Sequence, residues 1–258
     1  MIPFVKIPEL SLGFGLHIDA FGVVSTAGTV LGAWLALRAA RRYGPGDDTP
    51  LRDVATWAIG FGLVGGHLLH VFGYHPELLR EGPSVLFRVW EGLSSMGGVL
   101  GALAGIIVYF RRHKLPLRPY LDALALGAAP GWAVARIGCF LVHDHPGVHT
   151  AFPLAVAFPD GPRHDLGLYD VFVLAALACV LHLVARKPRP VGLLMGLLAM
   201  GYSACRFALD FLRATDLSFV DARYAGLTPA QYIVLVLFGV GVWLVATARP
   251  REQAALGR

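Results

Sequence analysis

Seven separate stretches of apolar residues that qualify as bilayer spans run through this chain. A span needs about 20 mostly apolar residues. The stretches cover residues 18–40, 53–74, 95–110, 119–142, 168–185, 190–212 and 229–248. Of the 258 residues, 56% are hydrophobic and 15% are charged, whereas about a quarter are charged in a soluble domain. We therefore predict an all-α polytopic membrane protein with about seven transmembrane helices, built as a single integral-membrane domain over residues 1–258.

Basic residues predict how these spans are oriented, because short loops rich in Lys and Arg stay in the cytoplasm. The connections after the first, third and fifth spans and the C-terminal tail, together with Arg38 at the end of the first span, hold 14 Lys and Arg residues, and the connections on the other side hold six. The N-terminus is therefore predicted outside and the C-terminus in the cytoplasm. The connection over residues 143–167 is then extracytoplasmic, and we expect it to lie beside the active cavity.

The net charge of +5 does not indicate a nucleic-acid partner. The basic residues form short clusters between apolar stretches, and no basic helix or alternation of basic and aromatic residues accompanies them. Membrane lipid is the expected surrounding, and no nucleic acid is expected.

Two arginines, Arg136 and Arg206, fall within predicted spans more than one helical turn from the span ends. A charged side chain within a span costs at least ~2.5 kcal/mol, so such a residue is first considered as part of a functional site. The alternative is a buried ion pair. Asp210 lies four residues after Arg206, on the same helical face, and could form one. Arg136 has no carboxylate three or four residues away, which favours binding of a lipid phosphate.

Histidines concentrate in two places, the pair His67 and His70 and the segment 143–149. Both groups could bind a metal ion. The spacings match no specific zinc signature, and hydrogen-bonded packing of the pair and a polar loop rich in Pro and Gly explain the residues equally well. We predict no metal site, and metal binding by the segment 143–149 stays an open alternative.

Four segments, taken in order, resemble signature motifs of the prolipoprotein diacylglyceryl transferase family. They are Trp90-Glu91-Gly92 with Ser95-Met96-Gly97-Gly98, then ARIGCFL over residues 135–141 with Gly147, then RHDLGLYD over residues 163–170, and YSACRFALDFLR over residues 202–213. The resemblance is collinear from about residue 18 to residue 248. The order of the motifs is more specific than any one of them.

The resemblance implies a seven-span enzyme of the bacterial inner membrane. Such an enzyme moves the diacylglyceryl group of phosphatidylglycerol to the thiol of the lipobox cysteine in a preprolipoprotein, and it releases glycerol phosphate. The expected partners are therefore phosphatidylglycerol, the lipobox segment and membrane lipid. No cofactor is expected. The leaving phosphate ester is negatively charged, which suits arginine donors held in a site of low dielectric constant.

The resemblance also implies the site residues. Arg136 and Arg206 match the two key arginines of the family, and Asp144 matches an acidic position. The predicted substrate-binding residues are Arg136, Arg206, Gly97, Gly98, Gly147, Cys139 and Tyr202. The predicted catalytic residues are Asp144, His143 and His145, which could take the proton of the attacking thiol.

Several polar residues of the family pattern are replaced. Met96 stands where the family has a histidine proposed as general base, and Met cannot take a proton. Phe21 stands in place of a tyrosine, and Cys139 and Val142 in place of asparagines. Two alternatives therefore stay open beside the transferase: a catalytically silent paralogue that binds phospholipid or lipoprotein precursor, and a transferase that uses the same donor with a different acceptor.

Overall fold

Seven α-helices form most of the part of this protein that the structure describes. The computed structural model describes residues 1–5, 7, 10–13, 16–74, 76–89, 92–217 and 223–250. The helices are α1 (Ala20–Tyr43), α2 (Thr49–Leu69), α3 (Ser95–Arg112), α4 (Leu117–Val142), α5 (Leu166–Ala185), α6 (Leu193–Leu209) and α7 (Pro229–Ala246). Each overlaps one predicted apolar stretch, and the all-α architecture is confirmed.

Six of the seven helices in the described part of the chain are long and apolar enough to cross a membrane. The exception is α3, whose eighteen residues end with Arg111 and Arg112 and therefore contain a shorter apolar stretch. Large apolar side chains on the helices face outward; Val236 is 67% exposed and Trp243 is 56% exposed. Such surfaces suit a lipid environment. The chain is a multi-pass membrane protein.

The chain divides into two compact units, residues 45–120 and residues 1–44 with 121–258. In the first of these, α2 and α3 pack backbone against backbone. A Cβ atom on Gly65 would lie 2.8 Å from Cα of Gly101, so only glycine permits this approach. A short π-helix (His70–Tyr74) and two 3₁₀ helices (Pro76–Glu81 and Pro83–Phe87) lie between α2 and α3 in the chain.

The buried His67 joins α2 to the segment that follows it. Its Nδ1 lies 3.1 Å from the Gly92 carbonyl oxygen, and its Nε2 lies 2.9 Å from the Val85 carbonyl oxygen. Both ring nitrogens therefore contact backbone acceptors, which gives His67 a packing role and leaves neither nitrogen for a metal ion.

In the larger unit, glycines again bring two helices together. A Cβ atom on Gly131 of α4 would lie 2.6 Å from Cα of Gly32 of α1. The start of α6 is held by α4, because the Asp122 carboxylate accepts hydrogen bonds from the backbone N–H groups of Gly192 (2.8 Å) and Met195 (3.1 Å). These contacts set the positions of α1, α4 and α6.

Three strands between α4 and α5, where only a polar loop was expected, form a small sheet with a fourth strand from the N-terminal segment. Its strands are β1 (Ile2–Pro3), β4 (Pro146–His149), β5 (Val156–Phe158) and β6 (Gly161–Asp165), in the order β1-β5-β6-β4. β1 is parallel to β5, and the other pairs are antiparallel. A separate hairpin pairs β2 (Leu10–Gly13) with β3 (Leu16–Ile18). Strands of two to five residues are too short for alternation of apolar residues to predict them.

Candidate active site

Three helices of the larger unit contribute a buried ion-pair cluster. The Oδ2 atom of Asp170 on α5 lies 3.1 Å from Nη1 of Arg206 on α6 and 3.2 Å from Nε of Arg136 on α4. Asp170 is fully buried and Arg206 is 6% exposed, and the Arg136 side chain is 14% exposed. The contact with Arg206 is a hydrogen bond, whereas Nε of Arg136 is at ion-pair distance without hydrogen-bond geometry. One carboxylate thus holds two guanidinium groups together.

Two buried oxygens, one in this cluster and one on α6 three residues before Arg206, have no hydrogen-bond partner among the described residues. They are Oδ1 of Asp170 and Oγ of Ser203 on α6. Buried polar atoms in proteins are normally paired. These oxygens can therefore accept hydrogen bonds from a polar ligand that enters the cluster.

Arg136 lies beside two aromatic side chains and a cysteine sulfur. Its Cζ lies 5.8 Å from the ring centroid of Trp132, whose ring packs on Tyr202 with a centroid distance of 4.4 Å. Nη1 of Arg136 lies 3.6 Å from Sγ of Cys139, one helical turn further along α4. The structure thus brings together four of the predicted substrate-binding residues: Arg136, Arg206, Cys139 and Tyr202.

Arg206 is also linked to the start of α7. Nη2 of Arg206 donates a hydrogen bond of 3.3 Å to Oδ1 of Asp210, so the ion pair considered as the alternative for Arg206 is formed. Oδ2 of Asp210 accepts from the Thr228 hydroxyl. Thr228 begins α7 as its N-cap and forms a capping box with Gln231. Arg206 is therefore held in position by both α5 and α7.

His143 follows the end of α4 and is held in a buried pair. Its Nδ1 lies 2.7 Å from Oδ2 of Asp165, the residue that caps the start of α5. The imidazole stacks on Phe4 of the N-terminal segment at a centroid distance of 4.6 Å. Burial raises the pKa of Asp165, while the hydrogen bond from His143 acts in the opposite direction. The pair of His143 and Asp165 thus joins the end of α4 to the end of β6 and the start of α5.

Asp144 and His145 lie on the more open side of the same turn. The Nδ1 atom of His145 is hydrogen-bonded to Oδ1 of Asp144, and their side chains are 21% and 38% exposed. A carboxylate oxygen of Asp144, a ring nitrogen of His145 and the sulfur of Cys139 all lie within 4.8 Å of one another. The structure therefore separates the three predicted catalytic residues: His143 lies in a buried pair with Asp165, and Asp144 and His145 form an accessible pair.

The predicted glycines have close backbone neighbours. A Cβ atom on Gly147 would lie 2.6 Å from the Leu212 carbonyl oxygen and 2.7 Å from Cβ of His164. In the smaller unit, a Cβ atom on Gly97 would clash with the Gly65 carbonyl oxygen, whereas a Cβ atom on Gly98 would lie 3.8 Å from its nearest neighbour, the Gly62 carbonyl oxygen. Close packing accounts for glycine at positions 147 and 97.

Arg163 ties the sheet to the segment after α6. Its guanidinium donates to both carboxylate oxygens of Asp160 and of Asp216, with distances of 2.6 to 3.2 Å, and to the Gly147 carbonyl oxygen at 3.1 Å. Arg163 is 2% exposed. The guanidinium lowers the pKa values of both carboxyls, that of Asp216 to about 2.

Asp170, Asp165 and Arg163 are polar residues of this region that were not among the predicted site residues. All three belong to the RHDLGLYD segment, and Arg136, which has no carboxylate three or four residues away, would have been the signal for Asp170. Trp90 and Glu91 lie outside the described residues, as does the side chain of Met96. Phe21, where the family pattern has a tyrosine, is 41% exposed.

Comparison with known proteins gives full-length similarities. A family model described as prolipoprotein diacylglyceryl transferase matches residues 9–247. The chain is 33% identical to a phosphatidylglycerol–prolipoprotein diacylglyceryl transferase of Nitratidesulfovibrio vulgaris, with all of both chains covered. Proteins of the same name are 32% identical in Roseobacter denitrificans, over 96% of this chain and 98% of the relative, and 31% identical in Pseudomonas aeruginosa, over 98% of both chains.

Proposed function

Because the chain belongs to the prolipoprotein diacylglyceryl transferase family, we propose that it transfers the diacylglyceryl group of phosphatidylglycerol to the lipobox cysteine of preprolipoproteins. The cysteine sulfur forms a bond to the glyceryl carbon, the bond from that carbon to the phosphate oxygen breaks, and glycerol phosphate leaves. The thiol proton passes to a base on the enzyme. The reaction takes place at the outer leaflet of the bacterial inner membrane.

The observation that carries this proposal is the pair of buried guanidinium groups around Asp170. The leaving glycerol phosphate is negatively charged, and arginine binds phosphate oxygens through two parallel hydrogen bonds. Arg136 and Arg206 come from different helices and converge on one oxygen of Asp170. Charges fixed before the reaction stabilise a developing anion most where water is excluded. In the proposal, both guanidinium groups hold the phosphate, with Tyr202 and Cys139 lining its approach.

The proposed base is the pair of Asp144 and His145. A thiol must lose its proton to become a good nucleophile. Asp144 and His145 are hydrogen-bonded to each other and partly exposed, so an incoming thiol can reach them. His143 is buried and paired with Asp165, and we assign it a positioning role for the turn that carries Asp144. Gly97, Gly98 and Gly147 stay proposed substrate-binding residues on the strength of the resemblance.

The reaction is tested with the purified protein, phosphatidylglycerol vesicles and a peptide that contains a lipobox cysteine. We expect the peptide mass to increase by one diacylglyceryl group and glycerol phosphate to appear in equal amount. A peptide with serine in place of cysteine is the control. Binding of phosphatidylglycerol without any mass increase would contradict transfer and favour the catalytically silent alternative.

The base is tested with Asp144→Asn and His145→Gln. General-base catalysis contributes about 10²- to 10⁴-fold, so we expect kcat to fall by that factor while phosphatidylglycerol binding persists. The control is His149→Gln, a half-exposed histidine of β4 whose side chain is 49% exposed. An unchanged kcat in both variants would remove this pair from the mechanism.

The orientation is tested by labelling introduced cysteines. The segment 143–167 is extracytoplasmic in this proposal. Ala151→Cys, at an exposed position of that segment, should react with a membrane-impermeant maleimide in intact cells. Lys187→Cys, in the connection between α5 and α6, should react only after lysis. Both are made in a background with Cys179→Ser and Cys205→Ser, and the reverse pattern would overturn the orientation.

A further inference from the structure

We propose that Cys139, Asp144 and His145 form a binding site for a divalent transition-metal ion of the zinc class. One ligand atom from each residue, the Cys139 sulfur, a carboxylate oxygen and a ring nitrogen, all lie within 4.8 Å of one another. Thiolate, carboxylate and imidazole are the ligands that zinc takes in proteins. A set of three protein ligands with one open position is typical of accessible zinc sites.

The local backbone explains why these residues meet. His143 has a φ of 52°, in the left-handed region that residues other than glycine seldom adopt. The N–H of His143 bonds to the Phe140 carbonyl oxygen, and the N–H of Asp144 bonds to the Cys139 carbonyl oxygen. These two bonds are those of a Schellman motif at the end of α4. The reversal brings Asp144 and His145 back over the last turn of the helix, where Cys139 lies.

The three ligands differ in exposure in a way that suits ion entry. Cys139 is 6% exposed, whereas the side chains of Asp144 and His145 are 38% and 21% exposed. An ion can therefore reach the carboxylate and the imidazole from outside. The sulfur would then bind the ion from the buried side. The hydrogen bond between Asp144 and His145 also holds the imidazole close to the carboxylate.

Charge balance is compatible with an ion despite the nearby Arg136. Metal binding requires the thiolate and the neutral imidazole, so with the carboxylate the ligands carry two negative charges, which balance a divalent ion. Nη1 of Arg136 lies 3.6 Å from the Cys139 sulfur, but its guanidinium is at ion-pair distance from Asp170. The guanidinium charge is thus compensated on the side away from the sulfur.

A bound ion would occupy Asp144 and His145, the pair assigned above to proton transfer. The site would then act as an inhibitory one, and this consequence rests on the proposed function. Metal binding itself is measured without turnover, so the metal site and the proposed function can fail separately.

The test is a titration of the full-length protein, freed of metal with a chelator and kept in detergent, with Co²⁺. Cobalt bound to a thiolate gives an absorption band in the near ultraviolet that oxygen or nitrogen ligands do not give. We expect a saturable band with one Co²⁺ per chain, which one equivalent of Zn²⁺ abolishes. Cys139→Ser should lose the band, whereas Cys179→Ser and Cys205→Ser, which replace the exposed cysteines, should keep it.

Two further variants keep the proposal falsifiable if Cys139→Ser fails to fold. Asp144→Asn and His145→Gln leave the sulfur in place, and each should weaken Co²⁺ binding by about tenfold or more. The proposal is overturned if the wild type gives no saturable band, if the band survives Cys139→Ser, or if both further variants bind Co²⁺ like the wild type.

Discussion

The carboxylate of Asp170 forms a 3.1 Å hydrogen bond with Arg206 across 36 positions of the chain. The same oxygen faces Arg136, so one buried negative charge lies between two positive charges. A buried charge is stabilised only when its partners are close and well oriented. This cluster therefore ties α4, α5 and α6 to a single point, and that point is the proposed binding place of the lipid phosphate.

Replacing Asp170 is expected to destabilise the protein strongly. Asp170→Asn removes the charge that compensates both arginines, and removal of one partner from a buried ion pair costs about 3 to 5 kcal/mol. The change is read from thermal unfolding in detergent. The control is Asp144→Asn, the same exchange at a partly exposed carboxylate, for which we expect about 0.5 kcal/mol or less. Equal effects of the two exchanges would show that the buried cluster contributes no more to the free energy of unfolding than a partly exposed carboxylate does.

Exchanging Arg136 for lysine is expected to weaken phosphatidylglycerol binding although the charge is kept. An ammonium group cannot form the two parallel hydrogen bonds of a planar guanidinium. A hydrogen bond to a charged group contributes about 1.5 to 3 kcal/mol, so Kd should rise about tenfold or more. Binding is measured with phosphatidylglycerol in detergent micelles. Arg52→Lys, at a side chain that is 55% exposed, is the matched exchange and should leave Kd unchanged.

Substitution of Gly147 by alanine is expected to destabilise the sheet region. The added Cβ would lie 2.6 Å from the Leu212 carbonyl oxygen, and such overpacking costs about 1 to 3 kcal/mol. Gly239→Ala in α7 is the control, because nothing lies within 4 Å of its added Cβ. Alanine also favours a helix over glycine by about 1 kcal/mol. Thermal unfolding should therefore separate the two variants in opposite directions.

The ion pair between Arg163 and Asp216 is expected to contribute stability that acid removes. Arg163 lowers the pKa of Asp216 to about 2, and an unfolded aspartate has a pKa of about 3.9. Because the folded pKa is the lower one, this contribution is complete above about pH 4 and is lost as the pH falls toward 2. The melting temperature of Asp216→Asn should therefore vary less with pH between 4 and 2 than that of the wild type. Identical slopes in that interval would refute the assignment.

The apolar pattern alone determined where the seven helices lie. A bilayer solvates no exposed backbone, so a long apolar stretch has few alternatives to a helix, and the predicted stretch 119–142 coincides with α4 (Leu117–Val142). The ion pair between Arg206 and Asp210 could also be predicted, because residues four apart share a helical face. The motif order led to the correct family.

Only the tertiary structure decided which groups meet across helices. Asp170 is 34 residues from Arg136 in the sequence, and its partnership depends on how α4 and α5 pack. Likewise, the left-handed backbone at His143 brings Asp144 and His145 back to Cys139 and leaves His143 itself paired with Asp165. Periodicity specifies the face of one helix, but contacts between helices depend on packing over the whole chain, and no local spacing encodes them.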